Sequence, residues 1–176
     1  MTDVDRLFHS YHATLVRYLT RRLGDRDWAE EVAQETFVRA LRQETLTNER
    51  AWLFTVANNL VRDDARRAER QRRQLILLRD EQIVEEELAN HSSNDEVSNV
   101  ERARETALAR KAVESLAERD RMALLLREEG LDYGEIAVAL ELSIGSVGTT
   151  LSRARRRLVE SYEAMQRTEA VRRTNG

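Results

Sequence analysis

The chain is 176 residues long, has neither proline nor cysteine, and carries a net charge of −3. Disulfides, thiolate metal sites and thiol nucleophiles are thereby excluded, and the length suits one domain or two small ones. Charged residues make up 35% of the chain, and proline is missing against a usual share of about 5%, so an all-helical fold is expected.

Of the cationic residues 28 are arginine and one is Lys111. A guanidinium is a planar fork suited to phosphates and stacked bases, although codon bias in a GC-rich genome accounts for the choice equally well. The charge is segregated. Residues 1–79 hold 15 cationic and 12 anionic side chains, residues 80–105 hold 2 and 9, and residues 106–176 hold 12 and 11. Two mildly basic ends flank an acidic middle, and local clustering governs nucleic-acid affinity more than the total does. His9, His12 and His91 are too scattered for a metal cluster, so neither metal nor cofactor is expected. No run approaches the roughly 18 apolar residues of a membrane span, and the N-terminus lacks a signal-peptide core. The expected location is cytoplasmic, without membrane insertion.

In chain order, Val4, Leu7, Phe8, Tyr11, Leu15, Tyr18 or Leu19, and Leu23 recur at helical spacing, and Gly24 stands where a C-terminal cap belongs. A second helix opens at Asp25 or Asp27, the latter in capping-box spacing with Glu30. Its Ala29, Val32, Ala33, Thr36 and Ala40 can face the first helix, which leaves Glu31, Gln34, Glu35 and Arg39 to look elsewhere. Residues 43–48 form a polar loop ending in a cap. A third helix starts at Glu49 with Leu53, Val56, Ala57 and Leu60 as its apolar set. Beyond Arg62 the apolar residues nearly stop, and six arginines fall between Arg62 and Arg73. Such an end projects toward something anionic or is merely solvated. Trp52, Asn58 and Asn59 precede it. Aromatic, amide and guanidinium groups together suit a reader of unpaired bases; the other reading makes Trp52 core and the asparagines surface.

Residues 74–88 still permit helix, and their apolar Leu75, Ile76, Leu78, Ile83 and Val84 either close the first lobe or dock a partner. Residues 89–97, acidic and rich in Ser and Asn, read as a flexible linker. The second lobe begins with helices over about 99–116 and in the segment ending at Gly130. Then come Asp132 and Glu135 in capping-box spacing, an apolar stripe of Ile136, Ala137 and Leu140, a turn at 141–143, and Ser143 as the cap of a further helix. This is the helix-turn-helix pattern. At about 100° per residue, Val147, Leu151, Ala154 and Leu158 share one side of the last helix. Gly145, Ser146, Thr149, Ser152, Arg153 and Arg156 fall on the other. That outer face either meets bases and phosphates or is an ordinary solvated face. From Tyr162 onward a charged, frayed tail is expected.

Three segments together resemble the sigma factors of bacterial RNA polymerase, in their small extracytoplasmic-function group. They are AEEVAQETFVRA (29–40), AWLFTVANNLVRDDARR (51–67) and LREEGLDYGEIAVALELSIGSVGTTLSRARRRL (126–158). The resemblance implies two small helical domains on a flexible acidic linker: 1–88 for core polymerase and the minus-ten promoter element, linker 89–97, 98–162 for the minus-thirty-five element, and a tail 163–176. Glu31, Gln34, Glu35 and Phe37 would meet core RNA polymerase, which requires them at the surface. Thr47, Asn48, Trp52, Asn59, Arg62, Asp63, Arg66 and Arg67 would read and melt the minus-ten DNA, the loop accepting a flipped base. Ser146, Thr149, Thr150, Ser152, Arg153 and Arg156 would meet minus-thirty-five DNA. Promoter DNA, core polymerase and an anti-sigma factor are the implied partners. Enzymatic activity is not expected. Two positions depart from the family pattern: Gly148 replaces a usual Lys or Arg, and Ala117 replaces a usual proline. The rival reading is a stand-alone helix-turn-helix regulator that grips duplex DNA without polymerase.

Overall fold

The computed structural model describes residues 3–78 and 97–174, with side-chain surroundings given for 3–68 and 101–171. It contains helices α1 (Val4–Leu23), α2 (Arg26–Ala40), α3 (Glu49–Leu78), α4 (Val97–Glu114), α5 (Glu118–Glu128), α6 (Tyr133–Ala139) and α7 (Ile144–Thr174), and no strand among the described residues. Most of the expected linker and the residues Ile83 and Val84 lie outside the described part, as do the side chains of Leu75, Ile76 and Leu78.

Local chemistry sets the boundaries. Asp3 caps α1 by accepting from the Arg6 amide at 3.0 Å, and Gly24 ends it in the left-handed region at φ 76°, where its N–H donates to the Thr20 carbonyl. A residue with a Cβ is disfavoured there by roughly 1–2 kcal/mol. Asp25, not the Asp27–Glu30 pair, caps α2 through the Trp28 amide at 3.0 Å. Asn48 accepts from the Ala51 amide at 3.2 Å and so caps α3.

In the first lobe α2 packs against both α1 and α3. Its buried face is Ala29, Val32, Ala33, Thr36 and Ala40, as the spacing predicts, together with Phe37. α3 is buried on two sides. Leu53, Ala57 and Leu60 form the expected stripe, while Phe54, Asn58 and Val61 make a second one, also at helical spacing. In the second lobe α7 packs on α4, α5 and α6. Val147, Leu151 and Ala154 are buried beside Met122, Leu126, Leu131 and Ile136, and each aliphatic side chain so removed from water contributes about 1.5–3 kcal/mol.

The frayed tail expected from Tyr162 is not what the structure has: α7 runs unbroken to Thr174. Half-buried Leu158, Tyr162, Met165 and Glu169 continue its inner stripe, α4 lies alongside, and Ser161 shares a 2.7 Å hydrogen bond with Ser115.

The arrangement of the lobes, which the sequence leaves open, is a closed one. α6 packs on α3 and α5 on α1, and a single apolar cluster runs from the first lobe into the second. At its centre Asn58 is fully buried. Its Oδ1 accepts from the Tyr18 hydroxyl at 2.8 Å and from Arg22 Nη1 at 2.7 Å, and its Nδ2 donates to the Ala139 carbonyl at 3.2 Å. Burial pushes the Tyr18 hydroxyl up to about 12, so it keeps the proton it donates.

Candidate nucleic-acid interface

The helix-turn-helix is built as its residues dictate. The Asp132 side chain accepts from the Glu135 amide at 2.8 Å while Glu135 accepts from the Asp132 amide at 2.8 Å, a complete capping box opening α6. The following turn places Glu141 in the left-handed region at φ 54°, uncommon for a residue with a side chain. Ser146 donates its amide to the Ser143 carbonyl at 2.9 Å, and the two hydroxyls are hydrogen-bonded to each other.

Along α7, Thr149, Ser152 and Arg156 are exposed on one side and Ser146 is half-buried. Arg156 is the freest cation of this set: its side chain is 71% exposed, with only a 3.9 Å approach to Glu160. Two expectations need correction. Thr150 is 5% exposed. It follows Val147 by three residues and precedes Ala154 by four, which places it on the inner stripe and away from DNA. Arg153 is on the outer side but its fork is engaged: Asp120 of α5, itself buried, accepts from Nη2 at 2.6 Å and Nε at 3.2 Å. Asp120 also accepts from Arg157 at 3.0 Å. Hydrogen bonding to Arg153 first, then to Arg157, holds the Asp120 carboxyl below the usual carboxylate range. Asp120 is a residue the sequence reading missed. Its partner lies 33 positions away, a separation at which periodicity carries no signal.

Gly148 is half-buried within α7, and a Cβ there would meet Tyr133 Cε2 at 3.6 Å, an ordinary contact. Gly148→Ala is therefore expected to raise folding stability by roughly 0.5–1 kcal/mol through helix propensity. Denaturant midpoints of the two proteins check this.

In the first lobe Glu31, Gln34 and Glu35 are exposed on α2, Glu35 accepting from Arg39 at 2.9 Å. Phe37 is not with them. It is 5% exposed, its ring edge-on to Phe8 at 5.2 Å and tilted toward His12 at 6.0 Å. One residue beyond buried Thr36 and four beyond buried Ala33, it falls on the inner face; its place is under the acidic surface, not on it. A groove of about 380 Å³ between α2 and α3 is lined by Glu31, Glu35 and Arg39 on one wall and Asp64 and Arg67 on the other.

The minus-ten candidates share one strip of α3. Trp52, Asn59 and Arg62 are half-buried and Asp63, Arg66 and Arg67 exposed, at spacings that keep 52, 59, 62, 63 and 66 on one side. Asn59 accepts from Arg62 at 3.4 Å, and Trp52 rests against the apolar cluster. Thr47 is exposed, and so is Asn48, although its Oδ1 is spent on the cap. Of the neighbouring asparagines, then, one is core and the other borders the strip.

Family models match in two places: "Sigma-70 region 2" over residues 7–71 and "Sigma-70, region 4" over residues 106–158. The chain is 30% identical over 154 residues to the ferric citrate uptake sigma factor FecI of Escherichia coli, covering 85% of each chain. To the RNA polymerase sigma factor YlaC of Bacillus subtilis it is 27% identical over 175 residues, covering 96% of this chain and 97% of that one. Among solved structures, the sigma factor RpoE of Bartonella quintana, crystallised with the anti-sigma factor NepR, superposes with a TM-score of 0.69. That match has 23% identity and covers 93% of this chain and 98% of that chain.

Proposed function

The chain belongs to the sigma-70 family of RNA polymerase sigma factors, in its extracytoplasmic-function group, and on that premise we propose how its surfaces divide the work. Residues 1–88 bind core polymerase and the minus-ten element, and residues 98–162 bind the minus-thirty-five element. Glu31, Gln34 and Glu35 meet the polymerase, with Phe37 supporting their helix from beneath. Trp52, Asn59, Arg62, Asp63, Arg66 and Arg67, with Thr47 and Asn48 at the loop, engage the minus-ten strand. Thr149, Ser152 and Arg156, flanked by Ser146, enter the major groove at the minus-thirty-five element, and Arg153 stands at the rim.

One observation carries this reading. α3 keeps two faces buried and leaves a third free, and that face carries an aromatic ring, an amide and arginines in line, the groups that stack on and steer unpaired bases. The α2–α3 groove joins the acidic polymerase face to the cationic DNA face, so both engage at once. The chain works by positioning and performs no chemistry of its own. Its place is the cytoplasm with the polymerase, and no described helix is long and apolar enough to cross a membrane. By likeness to the RpoE–NepR pair, an anti-sigma protein is proposed to restrain it.

Run-off transcription with purified core polymerase on a genomic promoter library tests the whole. The chain is expected to direct discrete start sites that core alone does not use. Tight binding to duplex DNA without polymerase, with no added initiation, would instead establish the stand-alone regulator.

A further inference from the structure

The contact between the lobes has a one-way charge pattern. Arg17 grips Glu129 through Nε at 2.9 and 3.0 Å and through Nη2. Arg21 lies 2.8 Å from Glu128, Arg22 2.8 Å from Glu118, and Arg50 3.8 Å from Glu135. Arg50 also donates to the main-chain carbonyls of Glu129 and Gly130. Each of these cations belongs to the first lobe and each anion to the second. The Glu129 side chain is only 2% exposed, so at least this acid is committed to the contact.

Geometry says what this contact prevents. α6 touches both α3 and α7. Helices in contact lie about 8–10 Å apart, which puts the minus-ten strip and the recognition helix within about 20 Å of each other. Elements at minus ten and minus thirty-five are about 25 base pairs apart, or roughly 85 Å at 3.4 Å per pair. The closed chain cannot read both together.

We infer that the Arg17, Arg21, Arg22 and Arg50 face and the Glu118, Glu128, Glu129 and Glu135 face form an electrostatic latch, which keeps the free protein in a promoter-incompetent form until polymerase draws the lobes apart. The inference rests on the promoter-reading role above. Contacts of this kind between domains are exchangeable. The exposed pairs weaken with salt, whose screening length shortens from about 30 Å at 0.01 M to 3 Å at 1 M. Apparent affinity for core falls by the open fraction, so a latch open one part in ten imposes about a tenfold reduction.

The test uses the full chain labelled on the two lobes for energy transfer, with small-angle scattering alongside. Wild type is expected to be compact at low salt and to expand as salt rises. Glu129→Arg should be expanded already at low salt, the milder Arg17→Ala should expand at lower salt than wild type, and the exchange Arg17→Glu with Glu129→Arg should recover part of the compaction. In core-binding assays the single variants should bind several-fold more tightly than wild type. Single variants that remain as compact as wild type while folded by circular dichroism overturn the latch; so do variants that open without any gain in core affinity. The scattering arm needs no promoter activity, so a chain that opens as described yet directs no transcription at all would remove the promoter reading and leave the latch measurement intact.

Discussion

Asn58→Ala is expected to cost about 2–4 kcal/mol of folding stability, the largest loss anticipated for a single polar side chain here. The substitution removes the acceptor shared by the Tyr18 hydroxyl and Arg22 and the donor to the Ala139 carbonyl. Arg22 is the sensitive member: its side chain is 2% exposed and would keep only Glu118, and a buried guanidinium stripped of a partner is expensive. Tyr18→Phe is the control. It deletes one donor while Arg22 continues to satisfy Asn58, so a loss of about 1 kcal/mol is expected, and the double variant should lose less than the sum. Urea unfolding of the four proteins measures the coupling. Losses that simply add would mean that the three groups do not act as a unit.

Arg156→Ala is expected to weaken minus-thirty-five binding by the holoenzyme by roughly 5- to 150-fold, about 1–3 kcal/mol if the guanidinium reads a base. A phosphate contact gives a different signature: similar weakening on all sequences and a salt slope shallower by about one. Arg153→Ala separates a reading role from a structural one. With its fork on Asp120, Arg153 orients α7 more than it probes DNA, so Arg153→Ala should act alike on matched and mismatched promoters. Arg153→Lys should not rescue it, because an ammonium cannot reproduce the bidentate geometry. Holoenzyme binding to promoters altered at single minus-thirty-five positions decides. A sequence-selective loss on Arg153→Ala and none on Arg156→Ala would reverse the two roles.

What could be read from the sequence is what short-range chemistry controls. Gly24 ends α1, Asp132 and Glu135 form their box, and Val147, Leu151 and Ala154 face inward, because each depends on neighbours three or four residues away. Phe37 and Thr150 lay within reach of the same rule; the family pattern assigned them outward roles that their spacing does not support. α3 was credited with one apolar stripe because Asn58 is polar, yet Phe54, Asn58 and Val61 recur at the spacing of a second buried face. The tail was taken for frayed because its residues are charged, although Leu158, Tyr162 and Met165 keep the helical repeat. The contacts Arg17–Glu129 and Arg22–Glu118 join residues 112 and 96 positions apart, and no local pattern announces pairs of that kind.

The unbroken course of α7 links two jobs mechanically. Its 31 residues span about 46 Å at 1.5 Å each, with Thr149 and Ser152 near one end and Met165 near the other. A strut of this length transmits tilt, so the angle at which its leading turns meet DNA is set partly by where its trailing turns lie along α4. A chain cut after residue 162 would keep every nucleic-acid-facing group on α7 and still present them at an altered pitch.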